Sequence, residues 1–184
     1  VMSLEPSYVV YGKASPTAVN LSSLTSTTGF VIRGEAAFDE SGYSVASAGD
    51  VNGDGKADLI IGAPKALFDG EATGKAYVVF GTTTPAAVNL SAVAAGTGGF
   101  VINGAADFDR AGWSVSGAGD VNGDGFDDVI IGAPFARPNG QESGAAFVVY
   151  GSANPGAVNL ADVAIGQGGF IIRGASQSDR AGFA

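Results

Sequence analysis

Oxygen-bearing side chains recur at alternate positions in two short stretches of this chain. Residues 50–64 read DVNGDGKADLIIGAP and residues 120–134 read DVNGDGFDDVIIGAP. In the first, Asp50, Asn52 and Asp54 alternate with other residues and Asp58 follows after a gap. In the second the same places hold Asp120, Asn122, Asp124 and Asp128. Gly53 and Gly55, like Gly123 and Gly125, let the backbone turn tightly enough for these oxygens to converge. A hard dication such as Ca2+ needs that arrangement, with roughly six to eight oxygens at short range from a loop that wraps it. Lys56 and Phe126 fall where such a loop offers a backbone carbonyl, which leaves their side chains free to differ. A polar hairpin turn is the plainer alternative, because Asn-Gly and Asp-Gly are favoured turn pairs. A turn needs only two such residues, however, and does not explain spaced acids at identical offsets. Three carboxylates in one loop also repel one another, which a cation relieves.

The loop departs from an EF-hand halfway along. An EF-hand carries a bidentate Glu at its twelfth position and a helix on each side. Here the twelfth positions are Ile61 and Ile131, inside the apolar runs DLIIG and DVIIG. Those runs are short, β-branched and closed by Gly-Ala-Pro, so they predict buried strands. A dockerin-type module shares the opening DVNGDG but also requires a helix next. What remains is a calcium loop joining two β-strands, present twice.

Composition narrows the function classes. At 46% hydrophobic and 15% charged, the 184 residues are not a disordered segment, and no apolar run approaches a membrane-spanning length. Thirty glycines without a Gly-X-Y period point to many tight turns and an all-β protein. A net charge of −9 argues against nucleic acid and against anionic membrane surfaces. Six of the eighteen acidic residues are the spaced carboxylates of the two loops, so two bound dications would offset four of the excess negative charges. The absence of cysteine and histidine excludes zinc sites of the usual kind, cysteine nucleophiles and any triad that uses histidine. Weak structural calcium sites fill mainly outside the cell, which favours an extracellular or cell-surface setting. The opening VMSLEPS lacks the basic and apolar regions of a leader peptide.

Internal repetition sets the architecture. GFVIRG at 29–34 returns as GFVING at 99–104 and GFIIRG at 169–174. SGYSVASAGD at 41–50 matches AGWSVSGAGD at 111–120, and AGFA at 181–184 begins the series again. YVVYG, YVVFG and FVVYG form another set, starting at Tyr8, Tyr77 and Phe147, and AVNL recurs from Ala18, Ala87 and Ala157. The period is about 70 residues. Each unit holds four strand candidates, in the middle unit 43–48, 58–62, 76–80 and 100–103. The first alternates small residues (Ser44, Ala46, Ala48) with Tyr43, Val45 and Ser47, as suits a strand crowded near an axis. The segment NLSAVAAG reads as one turn of helix or an irregular loop. Four-stranded antiparallel sheets repeated radially are β-propeller blades. A parallel β-helix has much shorter repeats and tandem nonapeptide calcium motifs, which are absent.

GYSV…AGDVNGDGKADLIIGAP followed by GKAYVVFG resembles the FG-GAP repeat of the integrin α-subunit propeller and its bacterial relatives, over nearly the whole chain. The resemblance implies a propeller, usually of seven such blades, with Ca2+ in the loop between the first and second strands. It further implies two calcium sites. One comprises Asp50, Asn52, Asp54, the Lys56 carbonyl and Asp58, the other Asp120, Asn122, Asp124, the Phe126 carbonyl and Asp128. The GAP element stands intact at Gly62-Ala63-Pro64 and Gly132-Ala133-Pro134, whereas the Phe of FG is replaced by Ser41 and Ala111. The expected units are a partial blade at 1–40, full blades at 41–110 and 111–180, and the start of another at 181–184. Such a set is an incomplete ring, and its open edges call for further blades from the same or another chain.

Asp39, Asp109 and Asp179 each lie three residues before a glycine at the start of the GYSV-type strand, and are read as Asx-turn caps in preference to a ligand-facing rim. Arg110 and Arg180 are read as solvated partners of nearby acids. Asp127, beside Asp128, has Ala57 as its counterpart, so it is read as an exposed charge and not half of a catalytic pair. Tyr43, Trp113 and Phe183 share one repeat position and are expected in the core. No acid, base or nucleophile constellation appears. The leading reading is a non-catalytic, calcium-binding propeller segment of a bacterial surface or secreted protein, acting in adhesion or recognition of a glycan or protein. The alternatives are a structural tile of a self-assembling layer or fibre, and an accessory domain of a secreted enzyme.

Overall fold

A computed structural model describes residues 6–14 and 17–184. Residues 1–5, which open the stretch weighed as a leader, lie outside the described residues. Three sheets follow one another along the chain. The first contains β1 (Pro6–Val10), β2 (Gly29–Arg33) and a two-residue β6 (Val88–Asn89). The second contains β3 (Ser44–Gly49), β4 (Asp58–Ala63), β5 (Lys75–Val79), β7 (Gly99–Asn103) and the two-residue β11 (Val158–Asn159). The third contains β8 (Ser114–Gly119), β9 (Asp128–Ala133), β10 (Ala145–Val149) and β12 (Gly169–Arg173). The four long strands of sheet two, and those of sheet three, run as an antiparallel meander in chain order. These are successive blades of a β-propeller, and they do not close into a ring.

Strand alternation explains why the middle strands are apolar throughout. Along β4, Ile60 packs toward sheet three while Ile61 packs toward sheet one. Along β5, Val78 faces sheet three and Tyr77 and Val79 face sheet one. Along β7, Phe100 and Ile102 divide from Val101 in the same way. One strand therefore serves two cores, so charged and amide side chains are confined to its ends, as with Asp58, Lys75 and Asn103. The innermost strands β3 and β8 carry small residues because they crowd one another: a side chain at Gly117 would stand 2.8 Å from the Ser47 carbonyl oxygen.

The AVNL connection has more structure than its sequence predicts. Val88–Asn89 adds to sheet one as a parallel strand beside β2, and Val158–Asn159 adds likewise beside β7 of sheet two. Asn103 donates its side-chain amide to the Asn159 Oδ1 across that pairing, at 3.0 Å. The short helices α1 (Leu90–Ala94) and α2 (Leu160–Val163) then bury Leu90 and Val93, or Leu160 and Val163, in the cores between blades. Each blade is thus laced to its predecessor. No helix among the described residues is long and apolar enough to cross a membrane, a statement that leaves β-barrels aside.

Carboxylates do cap the turns before the inner strands, but not as Asx turns: each accepts from an amide three residues earlier in place of one two residues on. The Ala36 amide donates to Asp39 Oδ2 at 3.0 Å, and the Ser176 amide to Asp179 Oδ2 at 2.6 Å. Asp109 is the counterpart in the middle unit, buried as Asp39 is; burial pushes its carboxyl up to about 6, against the opposing pull of the Ala106 amide and Arg137. The folded chain therefore holds this proton more tightly than the unfolded chain. The resulting stabilisation is full below the ordinary carboxylate value of 3.8 and is lost as pH rises through about 6. Asp109→Asn keeps the acceptor oxygen and should flatten this component. Chemical denaturation from pH 4 to 7 should show the wild type losing up to about 3 kcal/mol relative to the variant.

Candidate functional site

Each DxNxDG loop joins the inner strand of a blade to the second strand, leaving β3 or β8 at a β-bulge and re-entering at β4 or β9. Gly53 and Gly55 adopt φ of 73° and 81°, and Gly123 and Gly125 adopt 76° and 92°, which is the left-handed turn the sequence required. In the first loop, Asp50 Oδ1 accepts from the Asp54 amide at 3.0 Å and Oδ2 from the Gly55 amide at 2.8 Å. Asn52 Oδ1 also accepts from the Asp54 amide, and Asp54 Oδ1 accepts from the Lys56 amide, each at 3.0 Å. The second loop repeats the pattern. Asp120 accepts from the Gly123, Asp124 and Gly125 amides, Asn122 from the Asp124 amide, and Asp124 from the Phe126 amide.

Asp58 and Asp128 play a different part. Both are fully buried. Asp58 Oδ2 accepts from the Val51 amide at 3.0 Å and Oδ1 from the Gly81 amide at 2.8 Å. Asp128 holds the Val121 and Gly151 amides at 2.9 Å each. One carboxylate thus ties the start of the loop to the end of the third strand. Burial pushes the Asp58 carboxyl up, and the nearby charges of Asp54 and Asp50 add to that, against the Gly81 and Val51 amides.

The predicted side-chain donors therefore share one loop in each blade. Among the described residues, no three acidic groups converge as a preformed ion-binding cluster. Their oxygens are turned onto loop amides, and a carboxylate oxygen that accepts one amide keeps a second lone pair. The set is all hard oxygen, carries three carboxylates per loop and retains acceptor capacity, so it fits a hard divalent cation and does not fit a soft one. The loops differ at the seventh position. The Lys56 ammonium lies 2.9 Å from Asp54 Oδ2 and holds that carboxyl below the usual carboxylate range. Phe126 offers no such charge, and the Asn122 amide donates to Asp124 Oδ2 instead, at 2.8 Å.

Three expectations are corrected. Asp127 is not a free surface charge: its carboxylate accepts from the Asp50 amide at 2.7 Å and its own amide donates to the Asp50 carbonyl at 3.1 Å. The departure from Ala57 at the equivalent position was the available signal. Arg110 and Arg180 are not placed by acids but lie over the Phe135 ring, at 5.0 and 5.7 Å from its centroid. Tyr43, Trp113 and Phe183 stack across blades, but Tyr43 and Phe183 are each 49% exposed. The inner strands need small residues, so these rings are left at the strand ends opposite the loops.

The sequence profile of the FG-GAP repeat matches residues 41–79 and 111–149, which run from the turn before each inner strand to the end of each third strand. Integrin alpha-PS3 of Drosophila melanogaster is 35% identical over 137 residues, covering 67% of this chain and 10% of that protein. Integrin alpha-IIb of Mus musculus is 31% identical over 163 residues, covering 83% and 15% respectively. Integrin alpha-5 of Xenopus laevis is 33% identical over 165 residues, covering 86% and 14%. Blades of this construction, with this loop, define an integrin-type propeller segment. The chain is an FG-GAP repeat protein, integrin-like in sequence, and it spans at most about a seventh of the length of these relatives.

The buried carboxylates should carry more stability than the exposed ones. Asp128→Ala leaves two buried amides unpaired and should cost about 2–5 kcal/mol in denaturant unfolding. Asp124→Ala, measured in chelator, should cost less than about 1 kcal/mol. Equal costs would show that the two amide bonds do not anchor the blade.

Proposed function

We propose that this chain is a non-catalytic, calcium-stabilised propeller segment of a surface-displayed or secreted protein that acts in adhesion or recognition. The observation that carries the reading is the same hard-oxygen loop at the same corner of two consecutive blades, in a chain whose relatives are integrin alpha subunits. Calcium would be held by Asp50, Asn52, Asp54 and Asp58 with the Lys56 carbonyl, and by Asp120, Asn122, Asp124 and Asp128 with the Phe126 carbonyl. When bound, it supplies the positive charge that lets three carboxylates share one turn. A bacterial origin comes from the sequence resemblance alone. The working units are 41–110 and 111–180.

Further blades are the first partners implied. Phe100 and Ile102 are buried between sheets two and three, while their counterparts Phe170 and Ile172 are 39% and 46% exposed on the outer face of sheet three. A following blade, from this chain's continuation or from another chain, would cover them as sheet three covers Phe100 and Ile102. A tile of interchangeable blades is the weaker reading, because the interfaces are not alike. Between sheets one and two, Lys75 and the Tyr77 hydroxyl converge on Glu35 Oε2, with Lys75 at 3.0 Å. The equivalent residues in the next interface are Ala145, Phe147 and Ala105.

Thermal melting in calcium and in chelator tests the role of the ion. A concentration about 100 times the dissociation constant should add about 2.7 kcal/mol per site and raise Tm accordingly. Asp54→Ala should lower calcium affinity and the calcium-dependent part of the Tm together. Equal melting temperatures in calcium and chelator would remove the calcium claim.

A further inference from the structure

We propose that Asp127 is a positioning residue for the first loop and that it makes cation binding by the two loops cooperative. This rests on the calcium reading given above. Asp127 belongs to the second loop, between Phe126 and Asp128, yet its contacts are with the first. Its carboxylate caps the amide of Asp50 and its amide pairs with the Asp50 carbonyl, so both backbone groups of the first ligand residue are fixed from the neighbouring blade. Two further contacts run in parallel. The Ser152 amide donates to the Val51 carbonyl at 3.0 Å, and the Phe126 ring lies so close over Gly53 that an added Cβ would stand 2.6 Å from Cε1. Gly49 is needed for the same approach: any side chain there would meet the Asp127 carboxylate.

The second loop has no such support among the described residues. Val51 is completely buried under the neighbouring blade, whereas Val121 at the same place in the second loop is 50% exposed. Asp127 lies between the two proposed donors that end the second loop, the Phe126 carbonyl and the Asp128 carboxylate. A cation in the second loop fixes the backbone on both sides of Asp127, and so fixes the group that positions Asp50. Ordering is then shared: the loop that fills first lowers the ordering cost of the other. Linkage requires the effect to be reciprocal.

Isothermal titration with Ca2+ on the chelator-stripped chain at physiological salt tests this, using wild type, Asp54→Ala, Asp124→Ala, Asp127→Ala and Asp127→Asn. Wild type should take up two ions with positive cooperativity. Asp124→Ala should bind one ion, in the first loop, about tenfold more weakly than the coupled wild-type site. Asp54→Ala should weaken the second loop by the same factor. Asp127→Ala should still bind two ions without cooperativity, the second loop at its Asp54→Ala affinity and the first no tighter than in Asp124→Ala, while Asp127→Asn, which keeps an acceptor oxygen, should retain the coupling. Wild-type affinities equal to those of the single-loop variants, negative cooperativity, or coupling that survives Asp127→Ala would each overturn the proposal and leave the calcium reading standing. No uptake by the wild type would instead overturn the calcium reading, and this proposal with it.

Discussion

The structure depends on strands that are buried on both faces at once. β4, β5 and β7 send alternate side chains into the core shared with the preceding blade and the core shared with the following one, so no blade has a core of its own. A sheet built this way has few places for charge. It places charge at its corners, where Asp58 and Asp128 satisfy backbone amides that the turning chain would otherwise bury unpaired. The two carboxylates join the loop to the exit of the third strand. The geometry of the loop is therefore inherited from the packing of the blade, and a cation held there would act on the whole blade through that corner.

The two ends of the inner strands do different work. At one end are the carboxylate loops, with Asp127 crossing from one blade to the next. At the other, Tyr43, Trp113 and Phe183 form a stacked row with Arg110 and Arg180 lying over Phe135. Small residues along the inner strands force this division, because large side chains fit only beyond the crowded stretch. The lacing strands β6 and β11 and the helices behind them close the outer edge of each blade boundary. Sheets two and three are thus bound at the inner strand, at the loop and at the outer edge.

Much of this was legible in the sequence, because a repeat repeats its physics. The strand runs, the loops and the capping aspartates each appear at a fixed offset, and one reading applied to two or three copies. What was missed depends on contacts between copies. Val88–Asn89 looks like part of a loop because its pairing partner, β2, lies in the preceding blade. Asp127 looks like an exposed charge because the amide it caps is 77 residues away. Tyr43 and Phe183 look like core residues because their aromatic periodicity is clear, while the lack of space beside a small-residue strand shows only in three dimensions.

The direct test of the central claim is a crystal grown in calcium and measured for anomalous scattering at long wavelength. A peak is expected in each loop, with side-chain oxygens of Asp50, Asn52, Asp54 and Asp58, or of Asp120, Asn122, Asp124 and Asp128, at about 2.3–2.6 Å from it. The same loops without a peak, and with their carboxylates still turned onto the backbone amides, would contradict it.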